Sequence, residues 1–315
     1  MGNNFGLGSR DMYKAGRFAV NNAVRNGDLS FSSAATLSNR WAQFISWAKA
    51  QDIKKMEGIC CGLVKEYGRE LAWRVTEKNM AAATAQNYVS AVNSVMSIAT
   101  RGQWHKISPT KDCGISARCY IRTEVPTTLL RDNYERGLSA VRTATGERGA
   151  AIVKLARELG LRSKEASLID ARTVMEEAKA TGHINIINGT KGGRKREIPI
   201  TCHRQLDAIF HAVEVQGNSK SLVLDEQTWA MWRDGELRDI RECLQKSTGA
   251  HGLHDLRASY ACDRYKALTG HSAPVAGGEM VNRDMDHKAR QEIAEELGHG
   301  RKEITNCYLG KRGKS

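Results

Sequence analysis

The residues best suited to chemistry fall in four short segments of the second half of the chain. The segments span residues 158–165, a glycine-rich turn at 189–193, residues 251–257 and residues 297–299. Their candidate side chains, with a tyrosine nine residues after the last segment, are Arg162, Lys191, His254, Arg257, His299 and Tyr308. Each of these residues alone has an ordinary structural explanation, such as a surface arginine, a core histidine or a packed tyrosine.

Together, these side chains suit the transfer of a DNA phosphodiester to a tyrosine. Two guanidinium groups can each donate two hydrogen bonds to the non-bridging oxygens while negative charge builds on them. Preorganised donors of this kind are usually the largest catalytic contribution. A phenol with a pKa of about 10 needs a base or a positive field in order to attack, and histidines can move its proton near neutral pH. A lysine can protonate the leaving oxygen, and the cations are side chains, so the chemistry needs no metal.

The order and spacing of these residues resemble the tyrosine recombinase/integrase family. The resemblance is carried by five motifs, which are Gly160-Leu161-Arg162-x-x-Glu165, Thr190-Lys191-Gly192, His254-x-Leu256-Arg257, Leu297-Gly298-His299 and Tyr308. It is most specific over residues 150–310, whereas residues 30–105 resemble the family's helical core-binding domain without a sharp motif. The resemblance implies a site-specific DNA recombinase, and we expect an integrase of a mobile genetic element such as a phage, genomic island or transposon.

The resemblance also implies a role for each candidate. Tyr308 would attack the scissile phosphate and form a 3′-phosphotyrosyl bond, while Arg162 and Arg257 would bind that phosphate. Lys191 would be the general acid toward the 5′ oxygen, and His254 would accept and return the tyrosine proton.

The remaining motif residues have supporting roles in the family. His299 would donate a hydrogen bond to the phosphate, and Glu165 would orient an arginine. Because the covalent link preserves the energy of the phosphodiester, the resemblance implies neither a metal nor a cofactor. The expected partner is duplex DNA at specific core sites. The protein would be a monomer or dimer when free and a homotetramer on two synapsed DNA sites.

Three further basic residues, Arg194, Lys195 and Arg196, follow Lys191 in the same predicted hairpin. We expect them to contact the DNA backbone and to contribute salt-dependent affinity. Lys195 is also an alternative general acid, although Lys191 fits the family's pattern because it directly precedes Gly192.

Two alternative functions stay open. One is a Xer-like resolvase of chromosome or plasmid dimers, which uses the same chemistry. The other is an accessory DNA-binding protein whose active site is unused. The complete set of motif residues argues against the accessory protein.

Helical periodicity over residues 1–120 predicts an all-helical, core-type DNA-binding domain. The predicted helices lie at residues 10–24, 33–50, 56–68 and from about residue 84. The polar segment 117–128 is a predicted linker. If these helices enter the major groove, the candidates for base contacts are Arg40, Lys78, Gln86 and Asn87.

Residues 121–315 are the predicted catalytic domain, so the expected fold class is mainly α with a small antiparallel sheet (α+β). Helical patterns cover residues 128–143, 147–159, a segment from 163 and most of 203–315, and a β-hairpin covers 183–200. The two domains would form a C-shaped clamp around DNA.

One segment of the catalytic domain departs from the family's spacing. Arg257 and His299 are 42 residues apart, which is about twice the family's usual separation. We assign the excess to an insertion at 268–288, which either contacts DNA or a neighbouring subunit or is a passive surface feature. The basic residues 309–315 are too few for a C-terminal helix that docks on a neighbouring subunit.

Composition agrees with a soluble DNA-binding protein. The chain has 315 residues, 41% of them hydrophobic, and its net charge of +13 favours a polyanionic partner. No apolar run reaches the roughly 18 residues that span a bilayer and no signal peptide is evident, so we expect a cytoplasmic protein without membrane contact. The eight scattered cysteines are expected as reduced thiols. His105, Cys113 and Cys119 do not have the spacing of a standard zinc site.

Overall fold

The computed structural model describes residues 3–279 and 281–312 of the chain. The chain divides into two compact units, with the boundary between Cys119 and Tyr120. Met280, which belongs to the predicted insertion, and residues 313–315 of the predicted tail lie outside the described residues. None of the helices in the described part of the chain combines the length and the apolar character needed to cross a membrane.

The first unit contains four long helices. They are α1 (Met12–Arg25), α2 (Phe31–Ala50), α3 (Cys61–Thr76) and α4 (Ala82–Ala99). The helix predicted at 56–68 is displaced, because a separate 3-10 turn occupies Met56–Gly58 and α3 runs on past Gly68. Gly68 lies inside this helix against the Cys113 side chain, where a Cβ atom would be 2.3 Å from the sulfur, so a larger residue would not fit.

Aromatic side chains form the centre of the first unit's core. Trp41 and Phe44 are fully buried on α2, and the Phe44 ring meets the Tyr67 ring of α3 edge to face at 5.1 Å. Trp41 Nε1 donates a hydrogen bond to the Met12 carbonyl of α1 at 3.1 Å. This core joins the four helices through apolar packing that the helical stripes in the sequence had indicated.

Over its described residues the second unit is mostly helical and has one two-stranded sheet, which confirms the predicted fold class. Its elements are α5 (Arg131–Glu158), α6 (Ser163–Leu168), α7 (Ala171–Thr181), β1 (His183–Ile186), β2 (Arg196–Pro199), α8 (His203–Gln216), α9 (Trp229–Asp234), α10 (Glu236–Thr248), α11 (Leu253–Thr269), α12 (Arg283–Glu296) and α13 (Asn306–Leu309). The two helices predicted at 128–143 and 147–159 form the two arms of α5. They are separated by a kink at Gly146, whose φ is +72°.

The β-hairpin is antiparallel, and Ile184 pairs with Ile198 across it. Both isoleucines are fully buried, while the turn that contains Lys191 is exposed. Alternation of buried and exposed residues along both strands fixes the register and leaves the basic turn in solvent.

The predicted insertion is packed into the second unit. It contains a 3-10 turn at Pro274–Ala276, and its residues Ala273 and Val281 belong to a small core together with Tyr265 and Tyr308. The segment therefore supports the candidate nucleophile's helix and is not a passive surface feature.

Candidate active site

Five separate pieces of the second unit supply the site. Arg162 precedes α6, Lys191 lies in the hairpin turn, α11 carries a histidine and an arginine in its first turns, a loop follows α12, and α13 carries the tyrosine. All six predicted catalytic residues line one cavity of about 980 Å³: Arg162, Lys191, His254, Arg257, His299 and Tyr308. The structure thus brings together side chains that are 146 positions apart at the extremes of the sequence.

Backbone carbonyls hold the first of the two arginines. Arg257 is 1% exposed, and its terminal nitrogens donate to the carbonyls of Gly160 and Leu297. Gly160 has a φ of +62°, and a Cβ there would lie 2.5 Å from the Tyr260 ring, so only glycine can place its carbonyl under the guanidinium. This arrangement fixes Arg257 in one orientation before any substrate is bound.

A buried carboxylate orients the second arginine. Arg162 Nη1 donates to Glu165 Oε1 at 2.7 Å, and Arg162 Nη2 donates to the Leu297 carbonyl at 3.0 Å. Glu165 is fully buried, which by itself would raise its pKa, but the hydrogen bonds and charges of Arg196 and Arg162 lower that pKa to about 2. The carboxylate therefore stays ionised and lies among three guanidinium groups, since Arg257 Nη1 is 4.0 Å from Glu165 Oε2.

The tyrosine hydroxyl lies between an arginine and a histidine. Arg257 Nε donates to Tyr308 Oη at 3.1 Å, and His299 Nε2 is 3.0 Å from the same oxygen. Burial lowers the pKa of His299 to about 4, with further contributions from the charges of Arg257, Arg162 and Arg196. A neutral His299 can accept a proton, and Arg257 can stabilise the phenolate that remains.

Comparison with known proteins shows which proteins this chain resembles. Residues 121–263 match the sequence model of the family described as integrase. A lambda integrase dimer bound to a COC′ core site has a TM-score of 0.60 at 13% identity, over 96% of this chain and 78% of that one. The part of the chain that matches the integrase model is 143 of the 315 residues and contains Arg162, Lys191, His254 and Arg257.

Two further solved structures are similar to this chain. XerH bound to palindromic difH substrate has a TM-score of 0.57 at 16% identity, and the match covers 95% of this chain and 80% of that one. The Tn1549 transposon integrase with circular intermediate DNA has a TM-score of 0.57 at 13% identity, over 94% of this chain and 95% of that one. A search among curated protein sequences found no significant match. At these sequence identities, the structural matches show that the fold is similar.

His254 lies against the face of the Tyr308 ring, and its predicted role as the acid and base for the tyrosine proton stays a prediction. Its ring stacks on the Tyr308 ring, with the centroids 5.2 Å apart and the planes at 21°. Partial burial lowers the pKa of His254, and the Arg257 charge lowers it further. Among the described residues, the histidine that is hydrogen-bonded to the tyrosine hydroxyl is His299.

The hairpin's basic residues separate into two groups. Lys191 and Arg194 are exposed and line the Tyr308 cavity, and Lys195 is exposed outside it. Arg196 is 7% exposed, and its terminal nitrogens donate to both oxygens of Glu165 at 2.7 Å. The prediction that Arg196 contacts the DNA backbone is therefore wrong, because an inward-facing guanidinium with a carboxylate partner cannot reach a phosphate outside.

Sequence reasoning missed several basic residues of the cavity. Arg241, His251 and Arg301 line it together with the motif residues. Arg301 is two positions after the motif residue His299, and this short separation could have indicated that it belongs to the site. Arg241 had none, because it reaches the cavity from α10.

The four base-contact candidates of the first unit have different environments. Gln86 is buried and its Nε2 donates to the Ser116 carbonyl at 2.6 Å, so the prediction that it reads bases is wrong. Asn87 accepts a hydrogen bond from Arg118 at 2.7 Å. Arg40 is half-buried on α2, and Lys78 is exposed in the turn after α3, with a φ of +57°. DNA contacts by Arg40, Lys78 and Asn87 stay predictions.

Proposed function

We propose that this protein is a tyrosine recombinase that cuts and rejoins duplex DNA at specific core sites, with Tyr308 as the nucleophile, in order to integrate or excise a mobile genetic element. One observation carries the proposal. The Tyr308 hydroxyl is hydrogen-bonded to Arg257 and His299 inside a cavity that Arg162 and Lys191 also line.

The first step is an in-line transesterification. Tyr308 Oη attacks the scissile phosphorus, the bond from phosphorus to the 5′ oxygen breaks, and a 3′-phosphotyrosyl bond forms. Negative charge on the non-bridging oxygens is stabilised by Arg162 and Arg257, which are already oriented by Glu165 and by the Leu297 carbonyl. The reverse attack, by a 5′ hydroxyl on the phosphotyrosine, rejoins the strand.

His299 accepts the tyrosine proton in this proposal. Because Arg257 Nε donates to Tyr308 Oη, the phenol's own proton is directed toward His299 Nε2 at 3.0 Å. This geometry requires the histidine tautomer that carries its proton on Nδ1. The assignment replaces the role predicted for His254, whose ring stacks on the phenol face.

Lys191 protonates the leaving 5′ oxygen. It is exposed at the tip of the hairpin and lines the cavity, so it can approach a bound phosphodiester from the side of the DNA. The cations that act on the phosphate are then side chains, and we propose that the reaction needs neither a metal nor a cofactor.

The proposed partner is duplex DNA, and the proposed active assembly is a homotetramer. The similar structures include lambda integrase and XerH on their DNA sites and a lambda integrase tetramer on a Holliday junction, with a TM-score of 0.58 for the tetramer. Free protein is proposed to be a monomer or dimer. A dimer resolvase with the same chemistry is the second candidate function. XerH favours it, because XerH and the Tn1549 integrase resemble the fold of this chain equally well.

Covalent trapping tests the chemistry. A nicked duplex, built from the DNA that flanks the gene, loses a short 5′-hydroxyl fragment after cleavage and leaves the protein attached. We expect a protein–DNA band in denaturing gels, formed in EDTA, that disappears in Tyr308→Phe and persists in Tyr120→Phe, a control at an exposed tyrosine.

Three outcomes contradict parts of the proposal. A band that survives Tyr308→Phe rules out the nucleophile, and a band that requires a divalent cation rules out the metal-free mechanism. If the wild-type protein binds its own site and forms no band, the accessory DNA-binding function replaces the enzymatic one.

A further inference from the structure

We propose that Arg290 is a positioning residue for cleavage, which acts by holding the short helix α13 and thereby the Tyr308 hydroxyl. The proposal rests on the proposed role of Tyr308 as nucleophile. It assigns a purpose to the Asp286–Arg290 pair within α12, which the chemistry above does not use.

The helix that carries the nucleophile cannot fix its own orientation. α13 spans only Asn306–Leu309, about one turn, and so short a helix is not stable by itself. Contacts from other elements must therefore set the position of Tyr308 along and around the helix axis.

Arg290 makes such contacts at both ends of α13. Its Nη1 donates to Asn306 Oδ1 at 3.1 Å and to Thr305 Oγ1 at 3.3 Å, at the start of the helix. Its Nη2 donates to the Gly310 carbonyl at 3.2 Å, just after the helix ends. One planar guanidinium thus bridges the residues that flank Tyr308 on either side.

The guanidinium is itself fixed by a buried carboxylate. Arg290 Nε donates to Asp286 Oδ1 at 2.9 Å, and Tyr265 donates its hydroxyl proton to the same oxygen at 2.8 Å. Arg290 and Asp286 are each 6% exposed. Asp286 lies in the segment predicted as an insertion, so that segment supplies the charge that keeps Arg290 in place.

The contacts end on α13 and not on the phosphate site. Arg290 does not line the Tyr308 cavity as described, whereas Arg162 and Arg257 do. A substitution at Arg290 should therefore release the nucleophile while the phosphate-binding groups stay oriented. That separates its effect from a general loss of the site.

The test compares cleavage with religation in Arg290→Met and Arg290→Lys. We expect Arg290→Met to slow formation of the covalent complex roughly 100-fold at saturating DNA, because a misplacement of about 1 Å can cost that much. DNA affinity should change by less than about two-fold, and Arg290→Lys should recover part of the rate.

A general structural defect of the site would slow religation as well as cleavage. In the trapped complex, the covalent bond itself holds Tyr308 at the phosphate, so attack by an added 5′-hydroxyl strand should proceed within about three-fold of the wild-type rate. Equal losses in cleavage and religation, or unchanged cleavage, would overturn the proposal.

Two additional variants keep the test decisive. Asn306→Ala removes one acceptor and leaves the Arg290–Asp286 pair intact, so it carries the test if Arg290→Met does not fold, with an expected loss of roughly 10-fold in cleavage alone. Arg131→Met breaks an ion pair with Glu158 that does not touch α13 and serves as the matched control. If the wild-type protein forms no covalent complex, the proposed function fails. If the wild-type protein forms the complex normally and Arg290→Met cleaves at the same rate, only the inference about Arg290 fails.

Discussion

The two units differ in what they bury. Buried polar side chains of the first unit are the uncharged Asn4, Gln86 and Asn93. Among the described residues, every charged side chain that is buried belongs to the second unit, namely Arg157, Glu158, Glu165, Arg196, Asp255, Arg257, Asp286, Arg290 and Glu296. Apolar packing is enough to hold helices together, so the charges of the second unit need another explanation.

For the buried charges near Tyr308, that explanation is orientation of the site's side chains. Replacing buried ion pairs by apolar residues is often neutral or stabilising, so such pairs are weak evidence for stability. In this chain Glu165 orients Arg162, and Asp286 holds Arg290 at the helix of Tyr308. In the proposed mechanism these two pairs position a phosphate-binding arginine and the nucleophile, and the first unit has no such group to position.

Among the variants that test this difference between the units, Glu165→Gln should have the largest effect. The variant leaves Arg162, Arg196 and Arg257 without their shared negative charge, and breaking a buried pair typically costs about 3–5 kcal/mol. We expect that loss in the free energy of unfolding of the second unit, together with a fall of roughly 100-fold in covalent-complex formation. Urea denaturation and the trapping assay measure the two effects.

Glu70→Gln in the first unit is the matched control for that variant. Glu70 lies on exposed surface, so the same chemical change should shift stability by less than about 0.5 kcal/mol. Comparable losses in the two variants would remove the distinction between the units.

Acid should destabilise the second unit before the first. The pKa of His299 is about 4 in the folded chain and 6.5 as an ordinary histidine, so the unfolded chain binds a proton first as pH falls between these values. Stability contributed by neutral His299 is therefore present above pH 6.5 and declines toward pH 4. Glu165 stays ionised in this window, and its contribution is lost only below about pH 4.5, as pH approaches its folded pKa of about 2.

Hydrogen exchange resolved by peptide, at several pH values from 6.5 to 4, measures each unit separately. Protection of α11 and α13 should decrease before that of α2, and His299→Asn should remove the part of the slope that comes from the histidine. An unchanged slope in His299→Asn would contradict the assignment.

Trp41→Phe should have the smallest effect on the reaction. The variant removes the hydrogen bond to the Met12 carbonyl, and a buried acceptor left without a partner costs about 1–3 kcal/mol. That loss should appear in the first unit's stability, while cleavage at saturating DNA changes by less than about two-fold. A much larger fall in the cleavage rate would mean that the first unit's core also positions the site.

Local patterns in the sequence predict most of the fold. Helices α1, α2 and α4 lie within a few residues of their predicted bounds, because each has an apolar stripe with helical spacing. The hairpin at 183–200 follows from alternation around a glycine-rich turn. Helix α3 runs past its predicted end because Gly68 is not a helix stop; this glycine instead makes room for Cys113, which is 45 residues away.

The sequence predicted which residues form the site, but it did not predict which residues hold them in position. The order of motifs pointed to the six residues that share the cavity. Arg196 looked like its neighbours Arg194 and Lys195, and its burial depends on Glu165, 31 residues earlier, and on the Glu296 carbonyl, 100 residues later. Arg290 offered only a local signal, an aspartate four residues earlier, which is also the spacing of an ordinary surface pair.

The burial of Arg196 also limits how far the hairpin tip can travel. Arg196 is fastened to Glu165 and to the Glu296 carbonyl, and Lys191 is only five residues before it. Five extended residues span at most about 17 Å, so the Lys191 backbone cannot move farther than that from the fastened arginine. The proposed acid therefore searches a small volume around the phosphate site, and a longer turn should dilute its local concentration without changing any residue that touches the DNA.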